Sequence, residues 1–304
     1  MNIKKLKAWI TLSRLPFHTV GIFPFILGNV LAWYNTGVID WTVLFWGTLC
    51  VALILSATYY SGEYYDYETD NLSSELGRNR FTGGSQVIQS GLIPRHHALI
   101  ASLVSVSAAL VIGFILHFYY DTGAFTLPLG IIGILGGLFY SAKPVQWAYK
   151  GLGEIWIGFC YGWLTVAASY YLQTGKFPNI IHWTSLPIIF SIFNVILINE
   201  FPDYLADKRT GKQNLVVRFG KSKMSKIYII FSIGIWISYL IAIWAGIPLK
   251  ALIFFLPVFI LSLITIIQVF KKHYKEHKAL ENICAKTLII NLGVSVSFIL
   301  AICF

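Results

Sequence analysis

The chain has 304 residues, of which 57% are hydrophobic and only 12% charged, with a mean hydropathy of +0.69 and a formal net charge of +10. This composition excludes an ordinary soluble domain and indicates an integral membrane protein. Cys50, Cys160, Cys284 and Cys303 show no paired spacing, so neither a disulfide framework nor a zinc site is indicated, and they read as small apolar fillers. In chain order, "MNIKKLKAWITLSR" reads as a short amphipathic lead. Arg14 and Pro16 interrupt the pattern of a cleavable signal, so residues 15–35 are expected as an uncleaved first span. Further apolar runs fall at 42–62, 97–118, 124–141, 153–172, 184–203, 226–245, 249–270 and 284–303. In lipid a spanning backbone must satisfy its own hydrogen bonds, so each run is expected to be helical. The expectation is an all-α polytopic bundle of nine transmembrane helices.

The basic residues follow this division. Connections on one side carry 21 of the 23 Lys and Arg residues, leaving only Lys176 and Lys250 for the other. Because cytoplasmic loops carry excess positive charge, the pattern places the N-terminus inside, the C-terminus outside and the protein in the cytoplasmic membrane. The net positive charge then reads as a topology signal and a complement to anionic headgroups or an anionic substrate, with no nucleic-acid partner expected. Trp9, Trp33, Trp41, Trp183 and Trp244 read mostly as interfacial belt residues.

The acidic residues are unevenly placed. Eight of the 13 fall in two inward connections, within "GEYYDYETDNLSSELG" and "NEFPDYLADKRTG". Charge at the end of a span is expensive and marks a site by default. If the second helix continues past Gly62, Glu63, Asp66 and Asp70 share one face, and Asn199, Asp203 and Asp207 share one at the end of the sixth. Stacked carboxylates repel unless a cation lies between them, and hard oxygen ligands suit Mg²⁺ completed by substrate phosphates. Pro202 is expected to kink or end its helix. Asp66 to Asp203 and Asp70 to Asp207 are separated by 137 residues each. This matched spacing suggests a single membrane domain, 1–304, with four-helix halves at 15–141 and 153–270, plus a ninth helix at 284–303. Gly83 and Gly84 in "FTGGSQVIQSG" allow a tight turn, after which Ser85 and Gln86 either bind a substrate or cap the site.

The two motifs and their order resemble the UbiA-type intramembrane prenyltransferases, and the likeness covers nearly the whole chain. "FTGGSQVIQSGLIP", "YSAKPVQWAYKGLGE", "SYYLQTG" and "DKRTGKQNLVVRFG" are most similar to the branch that prenylates 1,4-dihydroxy-2-naphthoate for menaquinone synthesis. The resemblance implies Mg²⁺ as cofactor, with a polyprenyl diphosphate and an aromatic acceptor as partners. It implies Asp66, Asp70, Asp203 and Asp207, with Glu63, as metal ligands or acceptors around the metal-bound diphosphate, and Asn199 beside them. Glu63 stands where the family usually has Asp, and Gly62 where it usually has Asn. By the same resemblance Arg14, Tyr140 and Lys143 contact the diphosphate. Arg209 and Lys212 are further candidates from the basic inner surface, and Ser85 and Gln86 from the loop. The implied chemistry is electrophilic: the diphosphate departs, an allylic cation develops, and an aromatic carbon attacks it. Other acceptors (hydroxybenzoate, haem, chlorophyllide or a glycerol phosphate lipid) remain alternatives, as does a secondary transporter.

Overall fold

The computed structural model describes residues 3–304, which are helical throughout their ordered elements. A short amphipathic helix, α1 (Ile3–Leu12), precedes α2 (Leu15–Thr36), and the two are separated at Arg14, which takes the left-handed conformation (φ 51°, ψ 42°). Helix α3 (Trp41–Tyr65) starts at Asp40, whose carboxylate accepts from Thr42 N at 2.8 Å and Val43 N at 3.1 Å. These bonds satisfy donors that every helix start leaves open. Helix α4 (Tyr67–Glu75) follows almost without a break. Helix α5 (Arg95–Phe114) ends in a π turn, Ile115–Tyr119, and α6 (Thr126–Leu138) is short and apolar.

Helices α7 (Gly153–Ile157) and α8 (Thr165–Thr174) are joined by the π-helical stretch Gly158–Leu164 into one rod. The longest helix is α9 (Asn179–Arg209), and α10 (Leu215–Phe219) is a single short turn beyond it. Helices α11 (Lys221–Trp244), α12 (Ala251–Phe270) and α13 (His277–Cys303) complete the chain. Among the described residues, eight helical stretches are long and apolar enough to cross a membrane. The expected fourth span, 124–141, contains instead the 13-residue helix α6, only about 20 Å long at 1.5 Å per residue.

Large apolar side chains such as Ile253 and Phe270 are exposed on the bundle's outside, as a lipid-facing surface requires. Between helices the contacts depend on small residues. A Cβ on Gly28 would lie 1.8 Å from Ser169 Oγ, so α2 and α8 can touch only because that position is glycine. One buried cluster, including Leu27, Leu31, Ile188, Tyr239 and Phe298, joins α2, α9, α11 and α13. A second joins α1 to the connection after α4 through Leu12, Val87, Ile88 and Ile93. The amphipathic lead therefore anchors the first polar connection at the end of the bundle where the acidic residues lie.

Candidate active site

The two acidic stripes face a common cavity of about 220 Å³. On the first arm, α3 runs through Gly62 to Tyr65 and breaks at Asp66. Bonds from Asp66 N to Gly62 O (2.8 Å) and Asp70 N to Asp66 O (2.9 Å) carry the helical register across the break. Glu63, Asp66 and Asp70 consequently all line the cavity. On the second arm, Asn199, Glu200, Asp203 and Asp207 line it from α9. Pro202 does not end that helix, which runs through it to Arg209. Proline leaves the carbonyl four residues back without its N–H partner, and here Cys284 Sγ donates to Ile198 O at 3.7 Å. Cys284 is thus more than an apolar filler.

Most of the motif carboxylates are held by donors. Glu63 accepts from Ser85 N at 2.7 Å and Ser85 Oγ at 2.8 Å, with Arg14 Nε 3.5 Å away. Asp66 accepts from Ser141 Oγ at 2.6 Å and Tyr149 OH at 2.9 Å. Asp203 accepts from Ser73 Oγ and, at 3.2 Å, from Gly83 N. Asp207 accepts from Asn214 Nδ2 at 2.7 Å. Lys212 joins the arms, its Nζ lying 3.2 Å from Asp66 and 3.7 Å from Asp207. Burial opposes the charge on Lys212, but the Asp66 and Asp207 carboxylates outweigh it and raise the ammonium pKa well above its ordinary value.

Asp70 is the exception, because among the described residues no hydrogen bond or ion pair reaches its carboxyl group. Burial, with the Asp66 carboxylate beside it, pushes its pKa well above the usual range. Gly84 packs against it: a Cβ there would lie 2.2 Å from Asp70 Oδ2, and its φ of +63° also favours glycine.

The loop therefore clasps the site. Gln86 Nε2 donates to Asp70 O at 2.8 Å and to Gly83 O, while Ser85 holds Glu63. Of the two expectations for Ser85 and Gln86, capping matches this geometry, since neither lines the cavity. Arg14 and Tyr140 line it as expected. Lys143 and Arg209 do not: both are exposed outside it, and Lys212 occupies the inner position. The turn that aims Ser141 at Asp66 leaves Lys143, two residues on, facing outward. Ser73, Ser141, Tyr149, Asn214 and Glu154 were not singled out by sequence reasoning. A lone Glu154 in an apolar segment was a usable signal. The others are small polar residues whose relevance depends on tertiary contact.

A second cavity of about 130 Å³ lies against the first, and Thr58, Tyr140, Ile157 and Tyr161 line both. Phe25, Ile54, Leu164 and Leu172 help make its walls apolar. Among the described residues no three acidic, histidine or cysteine side chains converge tightly enough to hold an ion unaided. Hard oxygen donors on two facing walls nevertheless fit Mg²⁺ held partly by a substrate's phosphates, without a preformed protein cage.

Residues 21–286 match the UbiA prenyltransferase family. The chain belongs to that family. It is a membrane-integral, multi-pass prenyltransferase, which sets the transporter alternative aside. A curated UbiA relative, the 1,4-dihydroxy-2-naphthoate octaprenyltransferase of Bacillus subtilis, is 27% identical over 247 residues, covering 80% of this chain and 76% of that one. A structure described as digeranylgeranylglyceryl phosphate synthase superposes with a TM-score of 0.68 at 20% identity, covering 99% of this chain and 100% of that one. A UbiA homolog from Archaeoglobus fulgidus bound to GPP and Mg²⁺ gives 0.65 at 16% identity, covering 95% and 99%. Both structures share the UbiA fold.

Proposed function

We propose that the protein transfers a polyprenyl group from a polyprenyl diphosphate to 1,4-dihydroxy-2-naphthoate, with Mg²⁺, at the cytoplasmic face of the membrane. The observation carrying this reading is the junction of a carboxylate-walled cavity with an apolar one through Tyr140 and Tyr161. The naphthoate acceptor is supported by the Bacillus subtilis relative, and Mg²⁺ by the metal bound to the Archaeoglobus fulgidus homolog. The cytoplasmic face is supported by the positive charge on the connections at the site's end of the bundle.

Asp66, Asp70, Asp203 and Asp207, with Glu63, would hold Mg²⁺ between the two arms. The ion would add positive charge where the diphosphate departs. Arg14 and Lys212 offer N–H donors to its phosphate oxygens. The apolar cavity takes the prenyl chain, so the carbon–oxygen bond that breaks lies near the junction. There the ring faces of Tyr140 and Tyr161 stabilise the allylic cation, while apolar walls keep water from it. The acceptor's ring carbon forms the new bond, and the naphthoate carboxylate leaves as CO₂ in the overall reaction.

Membranes containing the protein, supplied with Mg²⁺ and a labelled polyprenyl diphosphate, should form prenylated product with dihydroxynaphthoate. Hydroxybenzoate, haem, chlorophyllide and a glycerol phosphate lipid should give none. Preference for one of these would overturn the acceptor, and absence of diphosphate release with all of them would overturn the reaction.

A further inference from the structure

Beyond the two carboxylate stripes, the cavity wall contains acceptors without donors. Asn199 Oδ1 is buried and without a partner, and Glu200 Oε2 is buried with no partner beyond the neighbouring Glu154 carboxyl, although both residues line the cavity. Behind them the Glu154 side chain meets that of Glu200. Glu154 is fully buried; its Oε1 accepts from Leu215 N at 2.7 Å, while its Oε2 has no donor. A buried polar oxygen left unpaired is costly, so this group of oxygens is adapted to a ligand that brings N–H or O–H groups.

Its position narrows the ligand's chemistry. Asn199 and Glu200 precede Asp203 by about one helical turn, roughly 5 Å along α9. Further along α9 from Asp203 the cavity is walled by Ile192 and Val195, with Ile157 also lining it. Among the described residues no Lys or Arg forms an ion pair with Glu154 or Glu200, in contrast to Asp66 and Asp207, which share Lys212. An anionic diphosphate is therefore disfavoured on this side, whereas a flat apolar ring bearing hydroxyl groups meets both the apolar walls and the acceptor oxygens.

We propose that Asn199 Oδ1 and Glu200 Oε2, with Glu154 positioning Glu200 from behind, form the subsite that binds the hydroxyl groups of a dihydroxy-aromatic acceptor. This rests on the prenyl-transfer reading above. Hydrogen bonds at two points fix the ring in its plane and present one ring carbon to the prenyl cation, so the subsite contributes to acceptor choice and orientation.

The test is a cycle between one protein group and one ligand group. Wild-type protein, Glu200→Leu and Glu200→Gln are assayed with dihydroxynaphthoate and with an analogue lacking one ring hydroxyl. Losing that hydroxyl should raise the acceptor KM of the wild type about tenfold. Glu200→Leu should start from the raised KM and lose little more, while Glu200→Gln, which keeps an acceptor oxygen, should recover part of the difference. Glu154→Gln should raise the acceptor KM more than it lowers kcat. The KM for polyprenyl diphosphate and the Mg²⁺ requirement should stay unchanged in all of them. If Glu200→Leu does not fold, Asn199→Leu provides the same comparison. Equal cost of the missing hydroxyl in wild type and variant would overturn the subsite, as would a shift confined to the diphosphate KM or the Mg²⁺ requirement. Wild-type protein that turns over no acceptor would instead overturn the prenyl-transfer reading, and the subsite with it.

Discussion

The two acidic arms reach the same cavity by different backbones. On the first, α3 breaks at Asp66 and α4 resumes, so Glu63, Asp66 and Asp70 belong to two helices whose register is preserved by main-chain bonds. On the second, α9 runs unbroken through Pro202, with Asp203 and Asp207 on one face. The broken arm depends on its surroundings, since Ser85, Ser141 and Tyr149 all donate to it from other segments. The unbroken arm keeps the register of one helix, yet Ser73, Gly83 and Asn214 donate to its carboxylates from other segments, and Lys212 joins it to the first. The i, i+4 spacing alone therefore does not specify how rigid a carboxylate stripe is; the neighbours do.

The largest effect should come from removing one carboxylate on each arm. Asp66→Ala and Asp203→Ala should each reduce prenyl transfer by about 1000-fold or more, because both arms must hold the charge of one diphosphate complex. Substantial turnover in both variants would break the two-arm reading. Lys212→Met should follow with a loss of about 100-fold, since it removes a phosphate donor and leaves Asp66 and Asp207 without their shared cation. Steady-state rates at saturating substrate would check this.

Gly84→Ala probes the loop that clasps the broken arm. A Cβ 2.2 Å from Asp70 Oδ2, on a residue with φ of +63°, should cost about 1–3 kcal/mol of stability, read by thermal unfolding in detergent. Asp70→Asn should do the opposite to stability while abolishing turnover. The raised Asp70 pKa means that the folded state holds this proton more tightly than the unfolded state does. Stability therefore falls as pH rises from the ordinary Asp value of about 4 through the folded value, and the penalty is fully present above it. The variant's gain should appear at neutral pH and disappear in acid, where wild-type Asp70 is protonated anyway. The smallest effect is expected for Lys143→Ala and Arg209→Ala, which should change the rate less than about threefold, as for exposed charges outside the cavity. A larger loss would show that these residues enter the site during turnover.

Much of this was legible in the sequence. Eight of the nine expected apolar runs are long helices among the described residues, and these and the pairing of "GEYYDYETD" with "NEFPDYLAD" follow from composition and spacing, because a bilayer demands long apolar helices and penalises charge at their ends. The short helix in the fourth run was harder to read, since Ala124 and Phe125 before it and Phe139 and Tyr140 after it resemble continued span. Lys143 was misplaced relative to the cavity and Ser141 overlooked because sequence position within a turn does not specify which side chain faces inward. Helical phase puts Asn199 and not Glu200 on the face shared with Asp203 and Asp207, yet both line the cavity.

By itself, the sequence determined that this chain is helical, crosses a membrane and concentrates its carboxylates at two helix ends. These properties depend on hydrophobic length, helical period and the cost of charge in lipid, all of which are local. Only the tertiary structure decided that Lys212 bridges the arms, that Gly84 is pressed against Asp70, and that Glu154 stands behind Glu200. Each of those facts joins residues distant in sequence or turns on a close approach, and such contacts are set by packing that no local pattern encodes.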